Sequence, residues 1–462
     1  MPVNAATSAQ PADGLPVPQR HLAALTVALG ITMTILDSGI ANVALPSIAH
    51  QLHAQAADSV WVVNGYQLPL VMVLLAVASL GDLVGYRRVY RVGLAIFTLA
   101  SLACALSSTL PALVAARVVQ GIGAAGLMGV SAALLRNIYP NHLLGRGIAI
   151  NAVVVSVSAA AGPTVASAIL SIGSWEWLFA INVPIGIGAL LLGLRVLPRS
   201  ERREADFDWR SALLSAAMFG LLFTAVDGLG RNAPPLHGGV ELAGALIAAV
   251  LLVRRELRQP VPLLPLDLLR IPMFRLSIGT STASFAAQML CFVALPFYFQ
   301  DGLGLSEVTT GLLMTPWPLT LGVVAPFAGR LADRIPAGLL GGIGMGLCCA
   351  GLALLAWLPE HPTAFDISWR MMLAGGGFGL FQTPNNRAIL GSAPRNRSGG
   401  ASGMLATARL TGQTAGAAVV AILLHHFHTA GTHWALLVAA GCAATAAVVS
   451  SRRVGLNNEP AG

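Results

Sequence analysis

Apolar runs of about 20 residues recur along this chain from end to end, and that recurrence restricts the fold more than any single motif. A helix rises 1.5 Å per residue, so a run of this length crosses the ~30 Å hydrocarbon core of a bilayer with its backbone hydrogen bonds satisfied internally. The runs lie at roughly 22–45, 60–80, 90–108, 111–135, 147–170, 177–197, 210–229, 238–254, 274–299, 309–329, 337–358, 369–391, 399–424 and 433–451. They predict an all-α polytopic membrane protein with fourteen transmembrane helices. Of the 462 residues, 55% are hydrophobic and 10% charged, whereas a soluble domain carries ~25% charged residues.

All 27 basic residues are arginines, and most fall between the runs, so the net charge of +8 reports topology rather than a nucleic-acid surface. With the N-terminus inside, 23 of the 27 collect on inner segments, Arg231 and Arg370 lie outside, and Arg117 and Arg409 lie within runs. This asymmetry predicts two cytoplasmic termini in a cytoplasmic (inner) membrane. Residues 1–20 read as a disordered cytoplasmic tail, because no basic stretch precedes a short apolar one as in a signal peptide. The five cysteines sit inside apolar runs without metal-ligand spacing and read as packing residues. His425, His426 and His428 cluster without a carboxylate, so no metal site is expected.

Two segments resemble each other: Ala78-Ser-Leu-Gly-Asp82-Leu-Val-Gly85-Tyr-Arg87-Arg88 after the second run, and Gly329-Arg330-Leu-Ala-Asp333-Arg334 after the tenth. A repeat so placed marks two six-helix halves with the substrate path between them. The expected organisation is a tail (1–20), an N-terminal bundle (21–200), a linker with two extra transmembrane helices (201–272), a C-terminal bundle (273–453) and a tail (454–462). The charges of the two repeats, Asp82 with Arg87 and Arg88 and Asp333 with Arg330 and Arg334, fall at inner helix ends and read as an inner gate. Gly81/Gly85, Gly342/Gly346, Gly375/Gly379 and Gly412/Gly416 are small-xxx-small pairs suited to helix packing. Gly121-Ile-Gly123-Ala-Ala-Gly126 matches a dinucleotide fingerprint, but no strand precedes it, and it reads as a helix-contact face.

Asp37 stands inside the first run, where a charged side chain costs ~2.5–3.5 kcal/mol to insert and therefore marks a site. It can carry a proton or receive a cation, and exchanging one for the other on one carboxylate is the simplest antiport; a protonated Asp bonding two helices is the other reading. Arg117 keeps its charge and needs an acceptor, cavity water or the outer headgroups. Gln120, about one turn along, shares its face. Arg409 either meets carbonyls freed near Gly412 or snorkels inward. Asp227, ending the seventh run, is an accessory acid or an interfacial residue. A pocket for greasy cations needs aromatic faces and adaptable thioethers; the candidates are Trp61, Tyr66, Gln67, Asn151, Met289, Phe292, Met314, Trp317, Phe381, Arg409 and Gln413.

Several segments, in order, resemble the major facilitator superfamily and within it the fourteen-span drug:proton antiporters. They are Leu36-Asp37-Ser-Gly39-Ile-Ala-Asn42-Val-Ala-Leu-Pro46, Arg117-Val-Val-Gln120-Gly121-Ile-Gly123, Ala161-Gly162-Pro163, Trp175-Glu176-Trp177-Leu-Phe-Ala-Ile-Asn182-Val-Pro184-Ile-Gly186 and Thr407-Ala-Arg409-Leu-Thr-Gly412-Gln413. Gly39 replaces a usual hydroxyl, Ala78 a glycine and Leu83 a basic residue; Ser158, Ala166 and Ser167 replace glycines, and Glu176 stands where a basic residue is common. The resemblance implies two six-helix bundles plus two inserted helices and proton-driven efflux of amphipathic, cationic compounds such as quaternary ammonium antiseptics, dyes and biguanides. It implies a role for Arg117 in coupling and for Gly162 and Pro163 in the antiporter helix. Neither enzyme chemistry nor a cofactor is expected, the proton gradient supplying the energy and a monomer sufficing. Two alternatives are a proton-coupled carrier of a metabolite or organic anion, which a cavity-facing Arg117 or Arg409 would favour, and a subunit delivering substrate to a periplasmic adaptor.

Overall fold

Every apolar run is helical in the computed structural model, which describes residues 14–140, 143–198, 207–230, 235–259, 266–359, 361–394 and 397–454. The first half comprises α1 (Gln19–Gln51), α2 (Ala56–Ser59), α3 (Trp61–Val84), α4 (Tyr86–Ala105), α5 (Leu110–Ile138), α6 (Leu144–Leu170), α7 (Glu176–Ala180) and α8 (Asn182–Val196). Two helices follow, α9 (Trp209–Gly230) and α10 (Pro235–Glu256). The second half comprises α11 (Pro272–Phe297), α12 (Glu307–Met314), α13 (Pro316–Leu331), α14 (Ala337–Ala356), α15 (Ala364–Ser392), α16 (Ser398–Phe427) and α17 (Gly431–Ser451). No strand occurs among the described residues. Among the described residues, eleven helical segments are long and apolar enough to cross a membrane, or twelve with the bent α6 taken as one span; the apolar stretch of α9 is shorter, Trp209–Ala225.

Local chemistry sets the breaks. Gly85, at φ +99°, separates α3 from α4 in a conformation that favours glycine. Thr109 caps α5 and Ser306 caps α12, while Thr363 and Asp366 form a capping box on α15. α6 bends by 43° between Val153–Ala159 and Ala161–Leu170, where Pro163 lacks the N–H that a straight helix would aim at the carbonyl four residues back.

The halves repeat one packing scheme. A Cβ on Gly121 would lie 2.2 Å from the Tyr66 carbonyl oxygen, and one on Gly375 2.3 Å from that of Trp317. Thus α5 touches the α3 backbone as α15 touches that of α13. Gly123 likewise sits against Phe97 on α4, and Gly377 against Cys348 on α14. The supposed dinucleotide fingerprint is therefore a helix-contact face, as its position mid-run suggests.

The halves meet through α1 with α11, α6 with α12 and α13, and α3 with α16. Hydrogen bonds between them gather at the end carrying His50. There Gln300 donates to the Val43 carbonyl at 2.9 Å, Ser47 donates to Gln300 at 3.2 Å, and His50 pairs with Asp301 at 2.9 Å. α9 and α10 pack on each other, and α9 also rests on both α3 and α16. Asp208 ties their ends, accepting from Arg255 Nη2 at 2.8 Å and from Gln259 at 3.1 Å.

Candidate functional site

Asp37 is fully buried among α1, α4, α5 and α8, and its charge is answered completely. Arg117 forms an ion pair with Oδ2, while Gln120 Nε2 at 2.9 Å and Asn182 Nδ2 at 2.8 Å both donate to Oδ1. Arg117 is equally buried; its Nε donates to the Val62 carbonyl at 2.8 Å and its Nη1 to Gln120 Oε1 at 2.7 Å. Gln120 also donates to Ser101 Oγ at 2.9 Å. A buried pair gains little net stability, yet breaking one by removing a partner costs ~3–5 kcal/mol, because a bare charge is left behind. The fold brings Asp37, Arg117 and Gln120 together. Asn182 and Ser101 are additions, neutral residues inside apolar runs that carry no charge signal to mark them.

Tyr66 stands between this cluster and the space between the halves. Its ring centroid lies 4.3 Å from the Arg117 guanidinium carbon, and its hydroxyl donates to the Thr34 carbonyl at 3.0 Å. Its other surroundings are a central cavity of about 160 Å³ lined from both halves. Of the sequence candidates, Tyr66, Gln67, Met289, Phe292, Trp317, Arg409 and Gln413 line it, joined by Thr34, Ser38, Asn42, Phe285, Gln288 and Gln382.

Asp37 does not line the cavity, so swapping a proton for a cation directly on that carboxylate is not available in this arrangement. Four other candidates also lie elsewhere. Trp61 packs edge-on against Phe223 of α9 at 5.0 Å, and Phe381 against Phe378 at 6.2 Å. Met314 is buried in the apolar core, and Asn151 is half-buried on α6 outside the lining. The side chain of Asp227 lies outside the described residues.

On the antiporter helix, a Cβ on Gly162 would sit 3.5 Å from the Gly39 Cα, so α6 and α1 approach closely there. Gly39, the departure from the usual hydroxyl, is thus half of a glycine–glycine contact.

At the gate motifs, Asp82 accepts from the Tyr86 hydroxyl, and Arg87 reaches the Leu194 carbonyl on α8 at 2.7 Å, whereas Arg88 is exposed. Asp333 pairs with Arg387 of α15, not with its expected neighbours Arg330 and Arg334. Gly329 packs toward Thr383 of the same helix.

Two halves of repeated helix packing, a buried acid–base cluster and a cavity at their interface are the features of a membrane carrier. The chain matches the Major Facilitator Superfamily over residues 27–417, and it belongs to that family. It is 56% identical to the uncharacterized transporter YebQ of Escherichia coli (strain K12), covering 96% of this chain and 97% of that one. Identity is 33% to the tetracenomycin C resistance and export protein of Streptomyces glaucescens, over 87% of this chain and 75% of the relative. Identity to the riboflavin transporter RibZ of Clostridioides difficile (strain 630) is 31%, over 85% of each. The protein is a multi-pass membrane transporter, and its relatives are transporters rather than enzymes.

Proposed function

We propose that this transporter is a proton-driven exporter of amphipathic aromatic compounds, spanning a cytoplasmic membrane fourteen times with both termini inside and working as a monomer. The observation that carries this reading is the Asp37–Arg117 pair, buried behind Tyr66 at the wall of the central cavity. A proton arriving on Asp37 neutralises it and releases Arg117, whose guanidinium lies against the Tyr66 ring. Tyr66 also faces substrate, so proton and substrate are coupled through one aromatic side chain without sharing a carboxylate.

One proton crossing 100 mV gains ~2.3 kcal/mol, enough to favour release of substrate outside. Two relatives support the reading: the tetracenomycin C resistance and export protein for the direction, and the riboflavin transporter for an aromatic substrate. In this reading the Asp82 and Asp333 clusters form the cytoplasmic gate, and the bonds around Gln300 and His50 close the outer side. The preference for cations drawn from the sequence loses its support in the cavity, whose lining offers no carboxylate among the described residues.

The test is dye uptake into inverted membrane vesicles under a proton gradient. Uptake that collapses on adding a protonophore and on Asp37→Asn supports the proposal; uptake indifferent to both sinks it.

A further inference from the structure

We propose that the central cavity selects amphipathic aromatic anions, with the Arg409 guanidinium as their counter-charge. This rests on the reading above that the cavity is the transport site, and it names the substrate class. Four observations converge.

The first is charge. Among the described residues lining the cavity, Arg409 is the one ionised side chain, and no Asp or Glu accompanies it. The nearest candidate acid, Asp37, is already occupied by Arg117, Gln120 and Asn182.

The second is that Arg409 makes no hydrogen bond or ion pair with any described residue, and its buried Nε has no acceptor. An arginine cannot discharge itself by losing a proton, so in a low-dielectric site it calls for an anion or several acceptors. The contrast with Arg453 is direct: that buried arginine reaches Ser277 Oγ at 2.7 Å as well as Asn385 and Ser450.

The third is a second donor. Trp317 lines the same cavity fully buried, and its indole Nε1 has no acceptor. An indole N–H is a donor only, so two buried donors from α13 and α16 await oxygen atoms. The fourth is the complement. Gln67 Oε1 and Asn42 Oδ1, both buried on lining residues of the first half, are acceptors without donors. Tyr66, Phe285 and Phe292 line the same cavity. A flat aromatic molecule with the two oxygens of a carboxylate toward Arg409 and Trp317, and a hydroxyl or amide N–H toward each of Gln67 and Asn42, satisfies all four groups. A quaternary ammonium ion satisfies neither donor and meets a like charge.

The experiment uses the full-length protein in lipid nanodiscs and two dyes sharing the xanthene plane, fluorescein as the anion and a cationic rhodamine, with binding read by fluorescence polarisation. The expected result is fluorescein bound about tenfold or more tightly than the rhodamine, with that affinity falling about tenfold or more in Arg409→Gln. Arg409→Lys should retain part of it, and Trp317→Phe should weaken it less. Should Arg409→Gln fail to stay monodisperse, Arg409→Lys and Trp317→Phe carry the comparison. Rhodamine bound as tightly as fluorescein, fluorescein affinity untouched by the three substitutions, or binding of neither dye would overturn the proposal. Proton-driven uptake into vesicles separates the two readings. Uncoupler-sensitive uptake with no preference for the anion sinks this inference alone, whereas selective anion binding without proton-driven uptake keeps it and sinks the exporter.

Discussion

Arg117 in the first half, buried behind Tyr66, and Arg409 in the second, on the cavity lining, are treated in opposite ways. Arg117 is enclosed by a carboxylate, a glutamine oxygen and a backbone carbonyl, with the Tyr66 ring alongside. Arg409 has been brought to a cavity wall, and its buried Nε has no acceptor among the described residues. The first arrangement is internally complete and can respond only to a change within itself, such as a proton on Asp37. The second is incomplete, and something from outside must finish it. A carrier driven by one species and loaded with another needs both kinds of site, held apart so that neither ligand displaces the other by direct contest.

The largest effect should follow from breaking the completed side. Asp37→Asn is expected to lower proton-driven transport by about 100-fold, a range typical of losing a proton-transfer group. It should also cost ~3–5 kcal/mol of stability by stranding Arg117; uptake rates and thermal unfolding in detergent measure the two. Next come the glycines under the cavity aromatics. Gly121→Ala and Gly375→Ala should each destabilise by ~1–3 kcal/mol through overpacking against a backbone oxygen, and similar losses at both would confirm that the halves share one packing scheme.

Arg409→Met should sharpen the comparison from the other side. No bond is lost and a buried charge is removed, so its thermal midpoint should stay level or rise, whereas Arg117→Met should lower it. A fall for Arg409→Met as large as that for Arg117→Met would mean the two arginines are equivalent after all.

The smallest effect concerns Asp208, outside the spans. Partial burial pushes its carboxyl up, but hydrogen bonds from Arg255 and Ser211 outweigh this and hold it below the usual carboxylate range. A carboxyl lowered on folding contributes stability that is fully present above its unfolded value of ~3.9 and is lost as pH falls through the folded one. The clasp between α9 and α10 should therefore be unchanged from pH 7 to 5 and loosen only in stronger acid. Hydrogen exchange in α9 should reveal this in the wild type but show no such step in Asp208→Asn.

The helices were legible because length and apolarity decide a span without any knowledge of neighbours. Asp37, Arg117 and Gln120 were legible because charge is conspicuous in lipid. Asn182 was not, since a neutral amide within an apolar run carries no charge signal, and only the fold brings it to Asp37. The cavity candidates that lie elsewhere share one cause. A helix buried on all sides lacks a polar face to fix its rotation, and successive residues turn by ~100°. Met314 and Phe381 accordingly face packed neighbours, not the cavity, and Trp61 faces the inserted helix α9, whose position no motif on α3 announces. Arg453, counted with the inner-loop arginines, is wholly buried because three neutral oxygens from α11, α15 and α17 replace the water it gives up.

The backbone contacts beneath Tyr66 and Trp317 carry a mechanical consequence. Because Gly121 and Gly375 press on the main chain of these residues and not on a side chain, neither aromatic can retreat without moving a whole helix pair. The two rings are rigid jaws, and what compliance the cavity has must come from rotation of Met128, Met289 and the four glutamines between them. Substrates of different outline would then be accommodated by thioether and amide rotamers against a fixed aromatic gauge, so that tolerance of shape and discrimination of thickness reside in different side chains.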